Sequence, residues 1–520
     1  MANDPAPVVE TISGRVRGTI IDGIAAFKAI PYGAPTSGAN RFMPPRAPAP
    51  WAGVRDAVDY AGRAPQAGLR PATRPELVNF SGPPDASPDS EDCLTLHVWS
   101  PGVEAGARRP VMVWLHGGAF SYGSANSERL RGSRLARRGD VVVVTVNHRL
   151  NIFGHLDLSA IASPEFGPSG NAGTLDMIAA LEWVRDNIAQ FGGDPGNVTI
   201  FGESGGGGKV STLLAMPSAR GLFHRAIIQS GAAIRLRTRD RAVQLTECVL
   251  KAVGLTAGQL DRLQALPVPQ LLAAIEPAQK ALGPSPTPLF DRYPFGPVVD
   301  GEIVPRHPFD PDAPDISGDI PLLIGDMKDE TASFLAPDDR VWNRTLTEDE
   351  MRARVTAVAG THADRVIESY RGLYPGVNPA ERLIATLTDC NFRVRSLALA
   401  QRKAAKARAP VWMYSFEWET PVLGGKMKAP HAMDVPFTFD TIDLTNATDL
   451  SPTAHALAAT MSGVWAAFAR AGVPDHPAIP HWPPYTVTDR ATLMLDAQCR
   501  IENDPRGVQR RLWQDITATN

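Results

Sequence analysis

Residues 191–206 read Phe-Gly-Gly-Asp-Pro-Gly-Asn-Val-Thr-Ile-Phe-Gly-Glu-Ser-Gly-Gly, and this stretch decides the fold. The run Val198 to Phe201 has the composition of a buried strand and drives straight into Gly202-Glu203-Ser204-Gly205-Gly206. A Gly-rich, then apolar, helix-compatible segment follows. This is the sequence form of a nucleophile elbow, a strand-turn-helix that holds a serine at a strained apex. Glycine is needed at 202 and 206 because a Cβ there collides with the neighbouring strand or helix as the chain reverses. The strain lifts the Ser204 hydroxyl clear of the backbone, where a base can reach it from one side and a carbonyl from the other. A lone Gly-x-Ser-x-Gly in a chain with 45 glycines carries little weight. Its position after a strand gives it weight.

Bulk composition narrows the field. The 520 residues are 43% hydrophobic and 21% charged, with a net charge of −3. That balance gives no electrostatic footprint for nucleic acid or an anionic membrane. No window holds 18 uninterrupted apolar residues, so no transmembrane helix is expected. The N-terminal Met1 to Pro7 lacks the basic and apolar regions of a signal peptide. Length alone suggests several domains, yet nothing between residues 8 and 500 resembles a linker. We read one domain over 1–520, with helical insertions at about 238–282 and 347–408 forming a cap beside the site. Cys93, Cys248, Cys390 and Cys499 are scattered, and the 11 histidines include no HExxH pair. No metal, cofactor or disulfide framework is implied, and the expected location is the cytoplasm.

Working outward from the elbow, apolar runs recur with helical stretches between them. These are Val111 to Leu115, Val141 to Val146, Asn197 to Phe201, Ala226 to Gln229, Ile320 to Ile324 and Val411 to Phe416. Such runs suit strands buried on both faces of a mostly parallel sheet covered by helices. Each ends in Gly, Ser, Asn or Asp, or in a loop rich in them, and functional loops gather at those carboxyl ends. Leu175, Ile178, Ala179, Leu181, Trp183, Val184 and Ile188 recur at helical spacing, which predicts a helix over 173–190. Pro/Gly-rich tracts at 31–50, 81–88, 283–297 and 305–321 read as surface excursions.

A serine nucleophile needs a base, an orienting acid and donors for the oxyanion. His116-Gly117-Gly118-Ala119-Phe120 follows a strand, and its small residues let the N–H groups of Gly118 and Ala119 face a developing negative charge. The N–H of Gly205 is the third donor. The acid must follow a later strand, where Gly325 to Thr331 offers Asp326, Asp329 and Glu330. The base comes last in this chain order, and His431 sits in a loop after the Val411–Phe416 run. His148 and His224 fall too near earlier strands, and His455 lies in a helix-like stretch.

At this point the chain resembles the type-B carboxylesterases, a family that includes para-nitrobenzyl esterases, mammalian carboxylesterases and cholinesterases. The resemblance runs from about residue 8 to the end. It is carried by Phe27 to Tyr32, Arg41-Phe42, Ser90 to Leu94, His116 to Phe120, Asn147 to Leu150 and Gly170 to Gly173. The elbow, Asp329-Glu330, and His431 with Asp434 complete it. It implies an α/β-hydrolase fold of bacterial type and a Ser204–His431–Glu330 triad, with Glu330 orienting the imidazole and not accepting its proton. It also implies that Ser230 hydrogen-bonds the acid, while Glu203 supports the site from beside the nucleophile. Gly205 and Gly207 replace the family's usual alanines, which reads as a loosened turn. Thr331 stands where glycine is usual. Ala64 replaces the cysteine of a Cys-Pro-Gln element, leaving Cys93 without a partner.

The expected partner is a small ester, cleaved through an acyl-enzyme by a monomer or small homo-oligomer. The same machinery serves amides, carbamates and thioesters, and the fold also carries silent interaction proteins, which typically lack the nucleophile. The base should titrate near an ordinary histidine, about 6.5. One stretch, Arg235 to Arg241, holds four arginines just after Ser230-Gly231. It reads first as a solvated basic face. The other reading has Arg235 and Arg237 anchoring a polar or anionic acyl group.

Overall fold

The computed structural model describes residues 6–67, 74–283 and 293–519. Most of the N-terminal stretch read for a signal peptide, and residues 284–292 of the Pro/Gly tract, lie outside them.

An eleven-stranded sheet forms the centre. Its spatial order is Arg500–Asn503, Ala491–Leu495, Val411–Phe416, Leu322–Met327, Arg225–Gln229, Gly193–Glu203, Arg109–Leu115, Val142–Val146, Thr95–Ser100, Ile24–Pro31 and Thr19–Ile21. The seven strands from Ala491–Leu495 to Val142–Val146 run parallel. Strands at both edges run antiparallel. All six apolar runs picked out in the sequence are among the parallel strands. Ala491–Leu495 was not anticipated, because its five residues lie in a region without repeated strand and helix signals.

Strand geometry explains the two-sided burial. Successive side chains point to opposite faces, so Val111, Val113 and Leu115 enter one core while Met112 and Trp114 enter the other. The helix Ala172–Asn187 covers the first face; the expected helix is three residues too long, because Ile188–Phe191 tightens into a 3₁₀ turn closed by Gly192 at φ +78°. The helix Pro452–Ala471 covers the second.

Helices in the two inserted regions have apolar cores of their own. Arg239–Ala252 and Ile275–Leu282 join a cluster with Phe42 and Phe153. Glu348–Ala359, Ala363–Leu373 and Pro379–Thr388 cluster with Trp513 of the C-terminal helix. Val394–Ala405 behaves differently: Leu397, Leu399 and Ala400 pack on the main sheet, so this last helix is part of the sheet's cover.

Register sets the site. Leu115 pairs with Gly202, Glu203 with Gln229, and Gln229 with Gly325. His116, Ser204 and Ser230, just beyond the ends of their strands, therefore stand side by side at the carboxyl edge, next to Asp326 near the end of the strand Leu322–Met327.

Candidate active site

Ser204 sits at φ 55°, ψ −120°, between the strand Gly193–Glu203 and the helix Gly205–Leu213. A non-glycine residue there is strained, and the surroundings hold it in place. Its N–H donates to Gln229 O at 2.8 Å, and its carbonyl accepts from Gly208 N at 3.0 Å. A methyl on Gly206 would strike Leu115 O, and one on Gly231 would strike Ser204 O. The expectation of a loosened turn is corrected by the same packing. A Cβ on Gly205 would lie 2.5 Å from Ala119 N, and one on Gly207 would lie 2.8 Å from Gly231 Cα. Neighbouring backbone has moved into the space of both missing methyls.

The loop His116–Phe120 reaches the nucleophile along that contact. Gly118, Ala119 and Phe120 all have positive φ (96°, 50° and 61°), an unusual run that needs outside support. Gly118 O accepts from the N–H groups of Ser121 and Tyr122 at 2.9 and 3.1 Å, and Phe120 O accepts from Asn151 N at 2.7 Å. Gln66 grips Gly123 twice, accepting its N–H at 2.8 Å and donating to its carbonyl at 3.1 Å. His116 Nδ1 lies 2.8 Å from Gly117 O. A carbonyl can only accept, so Nδ1 carries the proton. Burial, reinforced by the Lys209 charge, pushes this imidazole well below the ordinary range and keeps it neutral.

His431 and Glu330 meet beside Glu203, the residue before the serine. His431 Nδ1 lies 2.5 Å from Glu330 Oε2, and Glu330 Oε1 accepts from Met327 N at 2.9 Å. Glu330 is fully buried, while the His431 side chain is 10% exposed. Phe334 and Phe392 flank the imidazole, ring centres 5.0 and 4.9 Å away. Its other nitrogen, Nε2, stands 3.2 Å from Glu203 Oε1. Burial alone would lower the His431 pKa; the carboxylates of Glu203 and Glu330 outweigh it and raise it to about 9. Burial in turn pushes Glu203 up to about 7, against the His431 charge. This corrects the expectation of an ordinary histidine.

The other acids are committed elsewhere. Asp326 Oδ1 accepts from Arg393 Nε at 3.1 Å, and Asp329 accepts from Ala429 N at 3.4 Å. Asp434 Oδ2 accepts from Gln229 Nε2 and Tyr414 Oη, each at 2.9 Å. Thr331, in the place of the usual glycine, donates to Ile384 O at 2.9 Å. Ser230 is a correction. Its hydroxyl is buried without a hydrogen-bond partner among the described residues, so no bond to Glu330 forms. The strand end turns at Ser230 with φ 51°, which aims its N–H at Gly325 O instead.

Sequence reading missed Lys209. Its side chain is fully buried beneath the loop and donates to His116 O at 2.6 Å. The only signal was a lysine inside an otherwise apolar elbow helix. Among the alternative histidines, His148 stacks on His116, His224 Nδ1 accepts from Val198 N, and His455 is exposed. The arginine stretch divides: Arg235 is exposed and paired with Asp310 at 2.8 Å, whereas Arg237 turns inward. Among the described residues no cluster of three metal-ligating side chains occurs, and no helix is long and apolar enough to cross a membrane. Four free cysteines are described, with Cys93 buried.

The chain as a whole is similar to known proteins. The family model described as "Carboxylesterase family" matches residues 5–513. The para-nitrobenzyl esterase of Bacillus subtilis is 37% identical over 507 residues, 97% of this chain and 98% of that protein. The fumonisin B1 esterase of Sphingopyxis macrogoltabida is 34% identical, over 92% of this chain and 85% of its own. A crystal structure of a carboxylesterase from Geobacillus stearothermophilus superimposes with a TM-score of 0.83 at 38% identity, covering 98% of this chain and 100% of that one.

Proposed function

Because the chain belongs to the carboxylesterase family and is a serine hydrolase of carboxylic esters, we propose that Ser204 is its nucleophile, His431 its general base and Glu330 the carboxylate that orients the imidazole. The observation that carries this reading is the 2.5 Å contact of His431 Nδ1 with Glu330, on an imidazole whose Nε2 lies 3.2 Å from Glu203, the residue before the strained Ser204. With Nδ1 bonded to the carboxylate, the Nε2 lone pair is the one left to take a proton.

The steps follow from that tautomer. Ser204 Oγ attacks the ester carbonyl carbon and passes its proton to Nε2. The carbonyl oxygen becomes an oxyanion, facing the N–H groups of Gly118, Ala119 and Gly205, whose strained loop is preorganised for it. Collapse of the tetrahedral intermediate breaks the bond to the alcohol oxygen, which leaves with the Nε2 proton. Water then repeats the sequence on the acyl-enzyme, releasing the acid and restoring Ser204.

Two finer points belong to the same reading. The inserted helices around 238–282 and 347–393 act as a cap, the second supported by the Phe392 ring packed 4.9 Å from His431, while Val394–Ala405 stays with the cover of the main sheet. A reducing location such as the cytoplasm suits a chain whose buried Cys93 is a free thiol and whose position 64 is alanine. The test of the triad is an organophosphate that traps the nucleophile. Intact-mass analysis should show one adduct, mapped to Ser204 and absent from Ser204→Ala. An adduct elsewhere, or a fully active Ser204→Ala, overturns the assignment.

A further inference from the structure

We propose that Arg237 anchors a carboxylate at the far end of the acyl chain, so that half-acid esters of short dicarboxylic acids are preferred substrates. This rests on the reading of Ser204 as nucleophile.

Arg237 opens a two-residue strand, Arg237–Thr238, paired with Val298–Val299. Its Nε donates to Pro294 O at 2.5 Å, and Nη2 donates to Tyr293 O. Both acceptors are neutral carbonyls. No carboxylate lies within ion-pair distance among the described residues, and Nη1 has no hydrogen-bond partner there. Arg235, two residues earlier, has its counter-ion in Asp310 and a side chain 71% exposed. Two neighbouring arginines therefore have opposite fates: one is a neutralised surface group, the other a half-buried cation whose partners among the described residues are neutral carbonyls. Burial lowers the Arg237 pKa to about 10, so the group stays charged at neutral pH. A charge desolvated without a counter-ion is costly, and a ligand carboxylate is the group that relieves the cost.

Position points this cation at the acyl group. Nη1 lies against Gly296, where a Cβ would strike it, and the Phe120 ring comes within 3.6 Å of the same point. Phe120 follows Ala119 in the oxyanion loop, and its own N–H lies 3.3 Å from the Cβ position of Gly205. Arg237 thus sits one aromatic side chain beyond the oxyanion donors. That reach suits a short diacid and not a fatty acyl chain. Among the described residues the Arg237 guanidinium contacts Tyr293, Pro294 and Gly296, with Phe120 beside it, whereas the His431 imidazole contacts Glu203, Glu330, Phe334 and Phe392. The sets share no member. The alcohol must leave toward His431 to collect its proton, so the Arg237 side receives the acyl chain. A guanidinium holding the remote carboxylate would also fix the carbonyl against Ser204.

The experiment compares p-nitrophenyl hydrogen glutarate with p-nitrophenyl methyl glutarate in wild type, Arg237→Met, Arg237→Lys and Arg235→Met. Wild type should favour the half-acid. Arg237→Met should lose about tenfold or more in kcat/KM on the half-acid alone, mostly through KM. Arg237→Lys should retain part of the preference, and Arg235→Met all of it. Glutarate should inhibit wild type competitively, and pentanoate far more weakly; this reading does not require the methionine variant to fold. Equal losses on both esters mean that Arg237 only clamps the Tyr293–Pro294 carbonyls, and overturn the proposal. So does equal inhibition by the two acids. Unchanged turnover of the neutral diester in Ser204→Ala is a different failure, that of the triad reading.

Discussion

His431 stands between two carboxylates, with Glu203 Oε1 3.2 Å from Nε2 on the side away from Glu330. Glu203 Oε1 has no hydrogen-bond partner among the described residues, so the contact is one of charge and not of hydrogen-bond geometry. Its consequence is a base that holds its proton unusually well. An imidazolium cannot accept the Ser204 proton, so a raised pKa displaces activity to higher pH.

The first prediction follows from that sign. For a neutral ester, kcat/KM should rise with pH through an apparent pKa above the ordinary 6.5, toward the value of about 9 that Glu203 and Glu330 favour against burial. Glu203→Gln removes one of the two raising charges and should move the midpoint down. The measurement is the pH profile of both forms under identical salt. A midpoint unchanged or higher in Glu203→Gln rules out the electrostatic role of Glu203.

A second prediction separates the three acids of the 326–330 loop. Glu330→Gln should keep the fold and lose roughly 10⁴-fold in kcat, since the imidazole loses its orienting charge. Asp326 is paired with Arg393 and fully buried, so Asp326→Asn should show its effect in stability, about 1–3 kcal/mol, with kcat little changed. Asp329→Asn should be the mildest. Urea midpoints and kcat on one ester, measured for all three, decide it. An aspartate variant with the largest kcat loss reassigns the acid.

Much of this was legible in the sequence. Six parallel strands could be read because each is a continuous apolar run, buried on both faces. Ser204 and His431 could be proposed because chain order is fixed once the elbow is found, whereas the same order left Asp326, Asp329 and Glu330 open and only the family resemblance pointed to Glu330. What could not be read depends on tertiary contact. The approach of Ala119 to Gly205 makes the missing methyl a close fit and not a loosening, and no local pattern encodes the distance. Ser230 loses its bond to Glu330 because of a positive φ at the strand end. Lys209 is invisible to composition, since a lysine in a helix is ordinarily solvated. Arg235 and Arg237 look alike in the chain and part only where the fold turns one outward and one inward.

The third prediction contrasts two adjacent glycines. A methyl at Gly206 lands on Leu115 O, a strand carbonyl that cannot yield, so Gly206→Ala should fail to fold or lose a large part of its stability. A methyl at Gly205 lands 2.5 Å from Ala119 N, in a loop that can shift. Gly205→Ala should therefore melt near the wild-type temperature while kcat falls by about 10²-fold, the scale of a 1 Å misplacement of catalytic groups. Thermal melts and kcat on one ester settle the contrast. A Gly205→Ala enzyme of wild-type kcat shows that the Ala119 contact does not set the oxyanion donors.

The last prediction concerns Lys209, whose ammonium is fully buried and donates to His116 O at 2.6 Å. No carboxylate lies within ion-pair distance of it among the described residues, and burial holds its pKa well below that of a free lysine. The unfolded chain therefore binds a proton that the native state resists. Between the lowered native pKa and the unfolded value near 10.4, stability must rise with pH, by up to about 1.4 kcal/mol per unit for this one group. Lys209→Met keeps the length and apolar stem but cannot titrate, so that rise should vanish. Other groups titrate in both proteins, and the difference between them cancels those contributions. Urea unfolding of wild type and Lys209→Met at neutral pH and about two units higher should show wild type gaining stability on the variant as pH rises. At neutral pH the variant should be no less stable than wild type if the desolvation of Lys209 outweighs its bond to His116 O. An identical pH response in the two proteins would mean that the lysine stays charged in the core. The desolvation of Lys209 would then leave no mark on stability, and the lowered pKa assigned to it would be wrong.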